Sequence, residues 1–287
     1  MEQKQKKKLI VILALLIVIV LFAGISYLNA SIFNLTQFHI TTIKEESSEL
    51  PDSFNDATIM FFSDLEYGTY FNEGRLDQFI DTADDLQCDF ILFGGDLFDA
   101  EFSPVNEDVV AVTERLKKLK APYGKFAILG EMDQTNDMRK ALVTKVLNDA
   151  GFEVIDRLSL QVHHNSKDSI NLIGFNYTED ISSFADTFAN IQPENYTLTL
   201  VHGALAAETL PLSLSDLTLS GHTHHLQVIL PFVVDYEAYP LTGKYSTGSH
   251  KLSNTTLYLT RGVGTTRTDY RFYSDPEIVY IRLNKKK

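Results

Sequence analysis

Four of the eight histidines in this 287-residue chain fall between positions 202 and 225, as His202, His222, His224 and His225. Gly221-His222-Thr223-His224-His225 sets two imidazoles one residue apart, which on a strand puts them on one face and in a tight loop lets both enter one pocket. Several short apolar runs end in a polar residue able to ligate a metal: Asp64 after TIMFFS, Asp96 after FILFGG, Glu131 after KFAILG, His202 after TLTLV and His222 after LTLSG. One such acid is ordinarily a turn or helix cap. Five endings confined to His and acid point instead to mixed nitrogen and oxygen donors, a set suited to Zn, Mn or Fe. The one cysteine, Cys88, excludes a thiolate zinc cluster and an internal disulfide.

In the elements that must carry these residues, Leu76, Phe79, Ile80, Ala83 and Leu86 recur at helical spacing, as do Val109, Val112, Leu116 and Leu119 before Pro122. A third helix is expected from about Met138 to Ala150, stopped by Gly151. Strand-like runs at 58–63, 90–93 and 125–129 alternate with these helices, and runs at 170–174, 197–201, 217–220, 227–230, 256–260 and 277–282 dominate the second half. That order predicts a layered α/β domain. In open α/β sheets, ligands collect beyond the carboxyl ends of the strands, where the five polar residues stand.

Residues 9–28 are twenty uncharged, apolar positions, roughly 30 Å as a helix and enough to cross a bilayer core. Lys4, Lys6, Lys7 and Lys8 precede them and no charge follows until Lys44, so the positive-inside rule leaves the tail in the cytoplasm and the body outside it. A cleaved secretory signal with a site at Gly24-Ile25-Ser26 is the competing reading, and the apolar stretch is long for one. The expected organisation is a cytoplasmic tail (1–8), a transmembrane anchor (9–28), a linker (29–56), of which Lys44–Asp56 reads as linker or surface strand, and one domain (57–287). Residues 1–30 carry +3 of a net charge of −13, which leaves −16 on the rest. So acidic a body is a poor partner for nucleic acid and favours small substrates.

The blocks FSDLEYG (62–68), GGDLFDA (94–100), APYGKFAILGEMD (121–133), VHG (201–203), LSGHTHHLQVILP (219–231) and LYLTRGVGTTRTDYRFYSDPEIVYIRL (257–283) resemble, in order and spacing, the calcineurin-like metallophosphoesterase superfamily, in its membrane-anchored bacterial branch. The resemblance implies a four-layer α/β/β/α sandwich and two divalent metal ions that hold a hydroxide against a phosphoester. It implies Asp64, Asp96 and His224 on one metal and Asp96, His202 and His222 on the other. Asp96, His202 and Asp133 become the catalytic set, with Asp99 and Asp133 orienting ligands. The chain departs from the family at D-x-H, here Asp64-Leu65-Glu66, at G-N-H-D, here Gly130-Glu131-Met132-Asp133, and after GHTH, where His225-Leu226 replace two glycines. Glu66 and Glu131 are carboxylate candidates for the metals. Met132 stands where the family has a histidine that contacts the phosphate and protonates the leaving group. The function implied is hydrolysis of a phosphodiester or monoester, with a small phosphorylated or lipid-linked substrate. A catalytically inactive binding protein or a metal sensor on the same fold is the alternative.

Overall fold

The computed structural model describes residues 2–178, 184–189, 191–204, 206, 210, 214–229, 245, 247–252 and 255–286. After an N-terminal helix α1 (Glu2–Leu28), two six-stranded sheets pack face to face. The first has the order β1-β12-β2-β3-β4-β5, from β1 (His39–Ser47), β2 (Thr58–Phe62), β3 (Phe90–Phe93), β4 (Lys125–Ala127), β5 (Glu153–Val154) and β12 (Glu277–Lys285). The second runs β10-β11-β9-β8-β7-β6, from β6 (Leu158–His163), β7 (Ser169–Phe175), β8 (Thr197–Val201), β9 (Leu217–Ser220), β10 (Gly248–Leu252) and β11 (Thr255–Leu259). β2, β3, β4 and β5 are mutually parallel, as are β7, β8, β9 and β11, so the functional ends of both inner strand sets gather side chains.

Alternation along the strands divides the core. Ile59 and Phe61 of β2, with Phe90 and Leu92 of β3, face Leu198, Leu200, Leu217 and Leu219 of the second sheet. Met60, Phe62, Ile91 and Phe93 point the other way, onto α2 (Glu73–Asp84), α3 (Asn106–Leu116) and α4 (Asp137–Asp149). Strands buried on both faces read as continuous apolar runs for this reason. On the outer face of the second sheet, Phe184 and Phe188 of α5 (Phe184–Phe188) pack on Phe175. Asn72 and Asn136 cap α2 and α4 by accepting backbone N–H groups of their first turns. α3 ends at Leu116, six residues before Pro122.

Two expectations differ in detail. Residues 39–47, inside the segment expected as linker, form β1, paired in parallel with β12 along its whole length, and Phe54 is fully buried beyond it. The run at 227–230 does not continue as a strand: Leu226 and Gln227 take left-handed backbone angles, and Val228 makes one isolated bridge, to Phe272. Leu230 lies outside the described residues.

α1 opens the span Gln3–Phe33, whose most apolar 18-residue window has a mean hydropathy of 3.3 and no residue buried against the protein. Beyond α1 the chain widens into a π-helical turn, Asn29–Phe33, that buries Ala30.

Candidate metal centre

β2 and β3 each stop short, and the next residues reverse the chain in a left-handed conformation: Asp64 (φ 55°), Glu66 (φ 51°) and Asp96 (φ 60°). His222 (φ 72°) and His224 (φ 48°) do the same after β9. Non-glycine residues avoid this region, and five in one place mark a site whose side chains are aimed at a local backbone cost. Glycines admit the crowding. A Cβ on Gly130 would sit 2.0 Å from Asp96 Oδ1, and one on Gly221 would sit 2.4 Å from Asp64 Oδ2.

Asp96, His202 and His222 form the tightest group, with one donor atom of each within 4.8 Å of the others. His202 Nδ1 lies 2.8 Å from the Gly94 carbonyl oxygen, so Nδ1 carries the proton that it donates there and Nε2 faces the site. Nε2 is 3.0 Å from Asp96 Oδ2 and 3.2 Å from His222 Nδ1. Two donors each about 2.0–2.1 Å from one zinc-like ion lie about 2.9–3.4 Å apart at right-angled to tetrahedral geometry. The trio therefore fits a divalent ion with little rearrangement.

A second group lies beside it. His224 Nε2 is 3.6 Å from Asp64 Oδ1 and 3.5 Å from Glu66 Oε1, slightly wider than ligands of one ion. Both Asp64 oxygens also accept the His222 backbone N–H, at 2.9 and 3.1 Å, which ties β2 to the GHTH loop. Glu66 Oε2 and His224 Nδ1 are buried and without hydrogen-bond partners. Orphaned polar atoms in such a place call for a ligand. Glu66 is thus brought to the site, as its sequence position suggests.

Glu131 is half-buried and heads a 3-10 turn (Met132–Gln134), and the tight group of Asp96, His202 and His222 does not include it. Asp133, expected both in the catalytic set and as a residue that orients ligands, is held by backbone N–H groups. Its Oδ2 accepts the N–H groups of Asp96 (2.7 Å) and Gly130 (2.9 Å), and its Oδ1 that of Leu97 (2.8 Å). With both oxygens committed to backbone, Asp133 clamps the β3 and β4 loops together and positions Asp96. Asp99 binds the Glu101 N–H and meets Thr266 at 3.4 Å, while its carbonyl is held by Arg139 of α4.

Sequence reasoning missed Arg271. Its guanidinium is fully buried and donates to the carbonyls of Arg261, Gly264 and Ser274. Gly264 N–H in turn donates to the Asp64 carbonyl (2.7 Å), and the Ser274 hydroxyl to the His224 carbonyl (3.1 Å). Arg271 thereby organises the loop that backs both halves of the site. Partners that are backbone carbonyls leave no charge pattern in a sequence, so no signal identified it.

Burial disfavours charge on His202, but the Asp96 charge and hydrogen bond outweigh it and push the imidazole up to about 10. For Asp96, burial opposes ionisation and His202 more than offsets it, leaving the carboxyl below its usual range. Burial, then the charges of Asp96 and Asp64, hold Glu66 well above the carboxylate range, so it is a neutral acid while no cation is near. Burial, then the His202 charge, push His222 down to about 4, so it offers a free lone pair at neutral pH. Below about pH 10 the metal-free site holds a proton on the His202 ring, and a cation must displace it. Metal uptake at pH 7–8 is expected to release at least one proton, with affinity rising as the pH rises toward 10. Calorimetry in buffers of different ionisation enthalpy measures this, and buffer-independent heats would contradict it.

Two packed sheets flanked by helices, with a His–carboxylate cluster at the strand ends, define an α/β sandwich whose donors could hold a metal ion. The sequence model of the calcineurin-like phosphoesterase family matches residues 57–226, and the chain belongs to that family. It is 30% identical over 274 residues to a Bacillus subtilis (strain 168) protein named Uncharacterized metallophosphoesterase YkuE, over 92% of this chain and 91% of that one. It is 26% identical to a Bos taurus protein named Transmembrane protein with metallophosphoesterase domain, over 85% of this chain and 56% of the bovine one. Among solved structures, the calcineurin-like phosphoesterase YfkN from Bacillus subtilis aligns with a TM-score of 0.45 and 12% identity, over 72% of this chain and 81% of that one. The family uses divalent metals, and the donors gathered here are of the matching kind.

Proposed function

We propose that this protein is a membrane-anchored, metal-dependent hydrolase of phosphodiesters or monoesters, with α1 as a single span and the body on the extracytoplasmic side. The observation that carries this reading is the Asp96–His202–His222 trio, with the His202 tautomer fixed by the Gly94 carbonyl. Asp96, His202 and His222 would hold one ion, and Asp64, Glu66 and His224 a second, with Asp96 shared between them. Divalent ions there would supply Lewis acidity, acidifying water and offsetting charge on the phosphoryl oxygens.

The residues of the chain do the rest. His222 arrives neutral, and His202 gives up its extra proton on loading. Glu66 ionises when a cation is close, so the site adds negative charge only where metal balances it. Asp133 and Arg271 hold the ligand-bearing loops through backbone groups. The orientation of α1 rests on the lysines ahead of it and the absence of charge until Lys44.

The test is the full-length protein in detergent, assayed for bound metal and for turnover of bis-(p-nitrophenyl) phosphate with Mn²⁺, Zn²⁺ or Fe²⁺. Turnover that requires added metal and vanishes with chelator is the expected result. Stoichiometric metal without turnover would instead favour a sensor or binding protein, a reading motivated by Met132 at the position of a proton donor. No metal at all would remove both.

A further inference from the structure

The anchor does not hang from the body on a slack tether. Immediately after α1, Ala30 and Leu35 are buried, the Ala30 carbonyl accepts the Arg271 N–H (3.1 Å), and the Asn34 side-chain amide donates to the Arg271 carbonyl (3.1 Å). Tyr27, in the last turn of α1, lies against Tyr270 with ring centroids 5.7 Å apart and hydroxyls at 3.4 Å. The segment that receives the anchor is therefore 270–271, part of the loop that backs the metal ligands through Gly264, Ser274 and Arg271. The neighbouring Phe272 exchanges backbone hydrogen bonds with Gln227 and Ile229, three and five residues past His224.

This junction exposes the apolar and aromatic side chains of Tyr27 (56%), Ile32 (54%), Phe33 (57%) and Tyr273 (63%), and Val228 bridges to Phe272 next to Tyr273. Exposed aromatics at the end of a membrane span belong at the headgroup level. Arg267, in the same loop, is an exposed cation. The body carries −16, which disfavours capture of anions from bulk water, whereas a site fixed at the bilayer surface meets lipid phosphates at high effective concentration.

We propose that the 270–273 segment, with Phe33, sits in the membrane interface, and that the substrate of the metal centre is the phosphoester headgroup of a membrane lipid, reached without leaving the leaflet. The substrate assignment rests on the hydrolase reading above; the seating of the loop does not. In the reaction, water adds to phosphorus, the bond from phosphorus to the leaving oxygen breaks, and the proton of the water passes to solvent or to the departing oxygen.

Because the chain has no tryptophan, Tyr273→Trp gives a single reporter, and Lys167→Trp, in the exposed turn between β6 and β7 that packs at the start of β3, opposite the strand ends that carry the site, gives a control. In full-length protein reconstituted into vesicles with brominated acyl chains, the indole at the first position should lose roughly half of its emission and the control little. Equal, weak quenching at both overturns the seating. With metal supplied, the p-nitrophenyl ester of phosphatidic acid in phosphatidylcholine vesicles is compared with soluble bis-(p-nitrophenyl) phosphate. The double variant Phe33→Ser/Tyr273→Ser should lower turnover of the lipid ester at least about tenfold and leave the soluble ester unchanged. Loss on neither ester, or equal loss on both, overturns the lipid assignment while the hydrolase reading stands. Failure of the unaltered protein on both esters defeats the hydrolase reading and the lipid assignment with it, and the quenching then decides the seating alone.

Discussion

Asp96→Asn is expected to abolish stable metal loading and to lower turnover of bis-(p-nitrophenyl) phosphate by more than about 100-fold, beyond the 10–100-fold typical of residues that only support ligands. Asp96 Oδ2 is 3.0 Å from His202 Nε2, and Oδ1 accepts the Met132 N–H at 2.8 Å, so one carboxylate faces the cation and also ties down the β4 loop. The amide retains an acceptor for Met132 but loses the negative charge that a cation requires. His202 loses its main favourable charge as well and drops from about 10, since burial then dominates. Asp133→Asn is the contrast. Its carboxylate receives three backbone N–H groups, and an amide nitrogen turned toward one of them leaves a buried donor unpaired, a cost of about 1–3 kcal/mol. Thermal melts of the metal-free proteins should therefore show the larger loss at Asp133, and metal titrations the larger loss at Asp96. The reverse order would exchange the roles given to these two residues.

Those two carboxylates also show what a sequence can and cannot reveal. Asp64, Asp96, His202 and His222 were visible because an apolar strand that ends abruptly in a ligand-type residue exceeds, when it recurs, what turn and helix capping would produce. Glu131 follows the same pattern, yet the chain behind it is already committed: Asp133 takes the Gly130 amide, Asp96 takes the Met132 amide, and Glu131 is left at the head of a 3-10 turn, half-buried. Position after a strand thus nominates a residue for this site but does not settle direction, which the following turn decides. The layered α/β class was legible from apolar runs that alternate with helices, whereas the second packed sheet was implied only by the family resemblance, and both faces of the inner strands are buried. β1 was less legible, because HITTIKEES is an edge strand with every second residue partly shielded, and its charges read as solvent-exposed chain. Its order comes from nine residues of pairing with β12, a partner more than two hundred positions away. The strand expected at 227–230 gave way for a local reason: the left-handed run from His224 through Gln227 turns the chain so that His224 meets Asp64 and Glu66.

Met132→His is expected to raise turnover of esters with poor leaving groups, by about 10²-fold or more, toward the range that general acid help provides. Met132 is half-buried and its backbone is pinned to Asp96, so the substituted side chain starts from a fixed point beside the metal group rather than from a mobile loop. A thioether cannot deliver a proton, and a departing alkoxide or phenoxide without one carries its full charge into water-poor surroundings. p-Nitrophenolate needs no such help, so the bis-(p-nitrophenyl) ester should change little. The informative measurement is therefore a slope: log kcat/KM against leaving-group basicity across a series of substituted phenyl esters, which the substitution should flatten. The pH dependence carries the matching sign. An imidazole acting as an acid must be protonated, so the gain should be full below a pKa near about 6.5 and fade as the pH rises through it. A uniform change across the series, or a gain that grows with pH, would mean that the new ring acts on the metals and not on the leaving group. A flat response would mean that departure of the leaving group is not what limits this site, and attention would pass to Glu66, whose burial keeps it neutral until a cation arrives.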